Sequence, residues 1–351
     1  MPHKPNSSIR LEGLDLARYV AFVGMVIVNF KIVMGAEGGE GLLGALTSAL
    51  EGRAAATFVV LAGIGLGLAG RKGLDQTVWV TIKRALFLLI IGLLNMTIFD
   101  ADILHYYAFY FLFGVFLLPL GSGALVGIVL ALNLAFVGMI LTLNYDAGWN
   151  WNDYTYSGFW TPFGFVRNLF FNGWHPVIPW LGFLLFGMVL SRQSLAGRRT
   201  QLMLLVGGAV ALIVAELISG SLMGLFVSID PELAVLATTD PVPPMPLYFL
   251  AGIGAACIVV GVCLLVEDNL KRFGVLDVLA PAGRQTLTLY IAHILIGMGT
   301  LEALGMLGGQ TINQAVVASL VFCLVATIYA FLWSKVFKRG PIETLMRKLA
   351  G

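Results

Sequence analysis

Three of the four histidines, His105, His175 and His293, stand at the ends of long apolar runs or inside them. An ionisable ring there is costly and marks a functional site by default. Asp102 precedes His105 by three residues, the spacing at which a carboxylate on a helix can orient an imidazole. His175 precedes Pro176, a residue suited to the first helical position, and this predicts His175 at a helix cap. The positive end of the helix dipole would then keep its ring neutral and able to accept a proton. Thr286, Tyr290, His293, Gly297 and Thr300 fall on one helix face. Asp15, Arg18 and Asn29 form a second polar stripe, because the eleven residues from Arg18 to Asn29 return to within about 20° of the same face. Each feature also has a plainer reading. The histidines could make single interfacial hydrogen bonds, and Asp15 and Arg18 could snorkel at a membrane surface. The Thr286 stripe could be a helix contact. Glu216 and Glu302 lie in apolar runs without a partner legible in the sequence.

The elements that must hold these groups follow from composition. Of 351 residues, 59% are hydrophobic and 11% charged, against roughly a quarter charged in soluble domains. A mean hydropathy of +0.91 excludes a soluble enzyme or a disordered chain. A net charge of +2 gives no attraction to a polyanion, so no nucleic-acid partner is expected. Glycine, at 42 residues, suits close helix contacts in lipid. Cys257, Cys263 and Cys323 lie in apolar runs without metal or disulfide spacing and read as small buried hydrophobes. Gly65, Gly67 and Gly70 fit a dinucleotide fingerprint, but they lie within a helix and read as packing. With His3 in the polar N-terminal stretch, too few histidines remain to suggest a metal site.

Ten apolar stretches, at 14–34, 54–70, 83–99, 103–120, 124–143, 176–190, 202–227, 247–266, 286–306 and 312–334, predict an all-α polytopic bundle of about ten transmembrane helices. With a cytoplasmic N-terminus, the alternation places all 21 Lys and Arg inside, Lys4 and Lys72 among them, except Lys31, Arg53 and Arg167. This skew predicts that both termini are cytoplasmic. No removed signal peptide is expected. Two outer segments are long. Asn144 to Trp174 is rich in Trp and Tyr and reads as an interfacial belt or as a lid and sugar platform, and Ser228 to Pro246 carries Asp240 and five prolines. Residues 1–351 read as a single multi-pass membrane domain.

Particular motifs resemble a family. Arg10-Leu-Glu-Gly-Leu-Asp15-Leu-Ala-Arg18 through Asn29 is similar to the first helix of the transmembrane acyltransferase superfamily. Glu51-Gly-Arg53, Asp102-Ile-Leu-His105, His175-Pro-Val-Ile-Pro-Trp-Leu-Gly182, Gly283-Arg284 to Tyr290 and Gly340-Pro341-Ile-Glu343 to Arg347 extend the likeness along nearly the whole chain. The closest resemblance is to YeiB-like bacterial proteins (domain of unknown function 418), with heparan-α-glucosaminide N-acetyltransferases as relatives. It departs at Asn29, where sugar-modifying relatives carry a histidine, and at Glu40, where the glucosaminide enzymes carry one.

The resemblance implies a bacterial-type plasma (inner) membrane and acyl transfer from a cytoplasmic acyl-CoA, acetyl or longer, to a hydroxyl or amine of a glycan or lipid-linked acceptor at the outer face. Such a reaction needs a base, oxyanion donors and positive charge for the CoA phosphates. His175, or His105 oriented by Asp102, would be the base, and Asn29 or Arg53 would donate to the oxyanion. Arg18 and Arg284, with Tyr290 and His293 further along, would hold the donor. Arg53 and Trp174 would face the acceptor. Expected partners are membrane lipid, the acyl-CoA and the acceptor, and a homo-oligomer is compatible with this. A transporter of a small or lipidic metabolite would use the same polar residues as a pathway, and a structural membrane subunit would use them for packing alone.

Overall fold

The computed structural model describes residues 10–36, 41–71 and 73–351. His3, Lys4, Glu40 and Lys72 lie outside the described residues. Fifteen α-helices follow in order: α1 (Glu12–Val33), α2 (Gly41–Ser48), α3 (Arg53–Gly70), α4 (Leu74–Asn95), α5 (Leu104–Phe116), α6 (Ser122–Thr142), α7 (Pro162–Arg167), α8 (Val177–Ser191), α9 (Arg198–Ile229), α10 (Pro246–Arg272), α11 (Val275–Arg284), α12 (Thr286–Ala292), α13 (Gly299–Ala303), α14 (Ile312–Ser334) and α15 (Pro341–Ala350). The strands β1 (Trp149–Asn150) and β2 (Thr155–Tyr156) form one small antiparallel hairpin. The protein is an all-α polytopic helix bundle.

Each of the ten apolar stretches falls on a helix. Among the described residues eight are long and apolar enough to cross a membrane, and the bent pair Pro162–Asn172 and Val177–Ser191 makes a ninth. The remaining helix, α5, has 13 residues and reaches roughly 20 Å, short of the ~30 Å hydrocarbon core. The connection from α4 to α5 makes up the difference by dipping into the bundle, where Phe99, Asp102 and Ile103 are buried. Leucine, isoleucine and valine cover the outer faces of α6, α9 and α14, as lipid requires.

Close crossings hold the bundle together. A Cβ on Gly63 would meet the Leu184 carbonyl at 2.0 Å, and one on Gly187 would meet that of Val60 at 2.1 Å, so α3 and α8 touch backbone to backbone. The Gly65–Gly70 stretch is helix packing, as its sequence context suggests: a Cβ on Gly67 would lie 2.1 Å from Ser191 Oγ. The three cysteines are buried and free.

Ionic contacts sort into two ends. At one, Asp15 bridges Arg10 (2.7 Å) and Arg18 (2.6 Å), Lys271 reaches Glu12 (2.8 Å), and Arg84 donates to the Gly351 carbonyl (3.1 Å). Asp15 is buried, so this is a packed ion cluster and not a snorkelling pair. At the other end Lys31 pairs with Glu51 (2.5 Å) and Arg53 with Glu216. Glu216, without a legible partner in the sequence, thus has one.

Candidate active site

A cavity of about 460 Å³ opens at the Lys31–Glu51 end. Asn29 and Lys31 of α1, Glu51 and Gly52 of the turn before α3, and Ala101 and Ile103 of the dipping connection line its wall and deep side, with Tyr290 of α12. Both long segments cover it, one with Tyr154, Trp174 and His175 and the other with Asp240, Pro241 and Val242. The aromatic segment thus contributes Tyr154, Trp174 and His175 to the chamber wall.

On the deep side two polar contacts join distant spans. Asn29 Nδ2 lies 2.9 Å from His293 Nε2, and His293 Nδ1 meets the Tyr290 carbonyl. These partners assign the proton to Nδ1 and leave Nε2 as the acceptor of the amide. The Tyr290 hydroxyl donates to Asp102 Oδ1 (3.1 Å) and accepts from the Ile103 amide (3.2 Å). Asn95 Nδ2 (3.1 Å) and the Leu104 amide (2.8 Å) complete the shell of Asp102, which has no exposed surface. A carboxylate buried at this depth needs such donors to offset its desolvation.

The expected service of Asp102 to His105 is weaker. His105 Nδ1 lies 3.6 Å from Asp102 Oδ2, beyond hydrogen-bond reach, and neither ring nitrogen has a partner. His105 is wholly buried against the Tyr106 ring (3.9 Å between centroids) and is not among the residues facing the chamber. Asp102 orients Tyr290 and Asn95 instead.

His175 faces the chamber, but it does not cap a helix as the sequence predicts. The cap is Pro176, whose ψ of 144° is extended, and Ile178 is also non-helical, so α8 begins later than the proline preference suggests. His175 sits in the break between two segments bent by 51°. It is fixed by the Tyr110 hydroxyl, which donates to its carbonyl (2.5 Å), and by Trp180, whose ring lies edge-on at 4.6 Å. Its Nδ1 has no partner.

The stripe from Thr286 does not continue to Thr300. Residues His293–Met298 form a π-helix, whose wider turns rotate Thr300 to the exposed surface, while His293 and Gly297 stay buried. A second π-helix, Asn168–Asn172, leads into the His175 break. Such insertions recur at functional sites because they re-aim side chains out of register.

The expected donor-holding group divides. Arg18 lies in the Asp15 cluster, and Arg284 follows Gly283, whose backbone presses on the Asp15 carbonyl. Arg284 has no ion pair among the described residues. Tyr290 and His293 belong to the chamber. Arg53 turns to Glu216 and the Ala49 carbonyl (3.2 Å) and is not among the chamber residues. Trp174 lines both the chamber and a neighbouring aromatic cavity of about 330 Å³ with Asp100, Trp149, Tyr156 and Trp160. Asn95 escaped the sequence reading, and Lys31, Glu51 and Asp240 were named there without a role in the site. Asn95, a polar residue inside the apolar run 83–99, carried a usable signal.

Bent and π-helical spans beside a chamber lined by polar side chains define a polytopic membrane protein with a cavity inside its bundle. Residues 10–218, more than half of the chain, match the family described as "Heparan-alpha-glucosaminide N-acetyltransferase, catalytic". The chain belongs to this family of membrane acyltransferases. Residues 188–351 also match the family described as "Protein of unknown function (DUF418)". No curated protein matches the chain.

Proposed function

We propose that the protein moves an acyl group, acetyl or longer, from an acyl-CoA held at the basic end to a hydroxyl or amine of a glycan or lipid-linked acceptor in the chamber. The observation that carries this reading is the placement of His175 and Asn29 on one cavity. In this mechanism His175 takes the acceptor proton as the acceptor oxygen or nitrogen bonds to the thioester carbon. One hydrogen of the Asn29 amide is engaged by His293, and the other is free to meet the tetrahedral oxyanion. When the C–S bond breaks, the proton passes from His175 to the departing CoA sulfur.

Arg18 and Arg284 would meet the CoA phosphates. Arg18 and Asn29 are about 16 Å apart along α1, a gap for the extended pantetheine arm to bridge. The skew of positive charge supports a cytoplasmic basic end and an outward chamber in a plasma (inner) membrane. The test is transfer of labelled acetyl and longer acyl groups from acyl-CoA by purified protein in liposomes. CoA affinity is measured in parallel, and Arg18→Ala or Arg284→Ala should lower it about tenfold, since each charge-assisted contact is worth about 1.5–3 kcal/mol. A wild type that binds no CoA ends this reading. The bent α8 entry and the π segment after α12 are broken spans of the kind that also serve carriers. Solute uptake without acyl transfer in the same liposomes would favour a transporter.

A further inference from the structure

The segment that carries Tyr290 and His293 begins without a cap of its own. Gln285 precedes α12 but makes no capping bond, and its side-chain amide goes to the Ala330 carbonyl (2.9 Å). The first free N–H groups of a helix must find acceptors, above all where water is scarce. They find them on the C-terminal helix α15. Glu343 Oε1 accepts from the amides of Leu287 (2.9 Å) and Thr288 (3.1 Å), and its Oε2 accepts from the Thr288 hydroxyl (2.5 Å). Thr288 Oγ1 in turn accepts from the Ile342 amide (3.0 Å). This is a reciprocal capping arrangement built across 55 residues instead of three. The approach is close: a Cβ on Gly340 would stand 2.2 Å from Glu343 Oε2 and 2.5 Å from Thr288 Oγ1, so any larger residue would have to displace these two side chains.

We propose that Glu343 is a positioning residue for the reaction chamber: it sets the axial position of α12 and thereby the placement of Tyr290 against Asp102 and of His293 against Asn29. The far end of α12 cannot do this. It runs directly into the π-helix His293–Met298, where the regular hydrogen-bond ladder is interrupted. From the capped amides to the two site side chains is at most about two turns of helix, so a shift at the cap reaches the chamber undiluted. The Gly340-Pro341-Ile-Glu343 motif, otherwise a cytoplasmic-looking tail, thus belongs to the site. The catalytic consequence rests on the acyl-transfer reading, whereas the cap itself does not.

The experiment compares wild type, Glu343→Ala and Glu343→Gln as full-length protein in detergent. Acyl transfer is read as kcat and KM separately, and hydrogen–deuterium exchange is followed over residues 286–298. In Glu343→Ala, kcat should fall at least about tenfold with KM for acyl-CoA within about twofold, and exchange over 286–298 should rise. Glu343→Gln keeps one carbonyl acceptor for the two amides and should recover most of both. A loss that Gln does not recover, or that follows the folded fraction alone, overturns positioning. So does wild-type kcat in Glu343→Ala. Exchange reads the cap whether or not the protein transfers acyl groups: equal protection in wild type and Glu343→Ala overturns the cap. An inactive wild type with a clear exchange difference overturns only the acyl-transfer reading.

Discussion

Asn29 and His293, from the first span and the last but one, meet at 2.9 Å on the deep side of the chamber. The amide occupies the only free lone pair of the imidazole, because the other ring nitrogen donates to the Tyr290 carbonyl within the same helix. His293 in this state is a holder of Asn29 and not a base.

Replacing Asn29 with Ala should therefore act twice. It leaves Nε2 of a fully buried histidine without a partner, at a cost of about 1–3 kcal/mol, read as a lower melting temperature. In the proposed mechanism it also removes the oxyanion donor, and kcat should drop by about 10²–10³ with KM little changed. A variant that melts lower but transfers normally would confine Asn29 to packing.

The assignment of the base separates two histidines by their surroundings. His175 lines the chamber, its Nδ1 buried and unpartnered, while His105 is wholly buried against Tyr106 and does not line it. His175→Ala should lose about 10²–10⁴ in transfer rate with CoA binding intact. His105→Ala should lose far less. The reverse order would return the base to the start of α5.

Orientation is testable with single cysteines, since the native three are buried and contribute little background. Asp153→Cys, in the hairpin segment over the chamber, should react with an impermeant thiol reagent on intact cells. Gly197→Cys, at the basic end before α9, should not. Labelling at 197 alone would invert the protein in the membrane.

Glu343 lies outside the spans and is held above the usual carboxylate range by burial, with the hydrogen bonds from Thr288 and Leu287 opposing. An acid with a raised folded-state pKa contributes stability that is complete below the unfolded value and is lost as pH rises through the folded value. The melting temperature of wild type relative to Glu343→Gln, which does not titrate there, should fall as pH rises above about 4.3, the ordinary glutamate value, and level once the folded carboxyl has ionised. A difference that grows over that range would mean the hydrogen bonds outweigh the burial.

The spans were legible because lipid demands long apolar runs, and the polar interruptions, Asp15, Asn29, Asp102 and His293, stood out against them. The partners were not legible, because periodicity describes one helix at a time. Asp102 reads as a neighbour of His105, three residues away, yet its hydroxyl partner Tyr290 is 188 residues distant. The cap at His175 was misplaced for a related reason: Pro176 favours a helix start, but its extended ψ is fixed by the bend that follows. The π-helix at His293 left no mark in composition, and so Thr300 was assigned to a face it does not share.

The turn Glu51-Gly52-Arg53 sends its two charges to opposite neighbours, Lys31 and Glu216, and between them Gly52 adopts φ +66°. A Cβ there would lie 2.4 Å from Pro241, on the segment that closes the chamber, and 2.7 Å from the Tyr248 hydroxyl. The closeness of this segment to the turn is thus set by a methyl group the chain omits. An alanine at 52 would act as a wedge: Pro241 or Tyr248 would have to give way, and the backbone would carry a side chain at a φ that suits glycine.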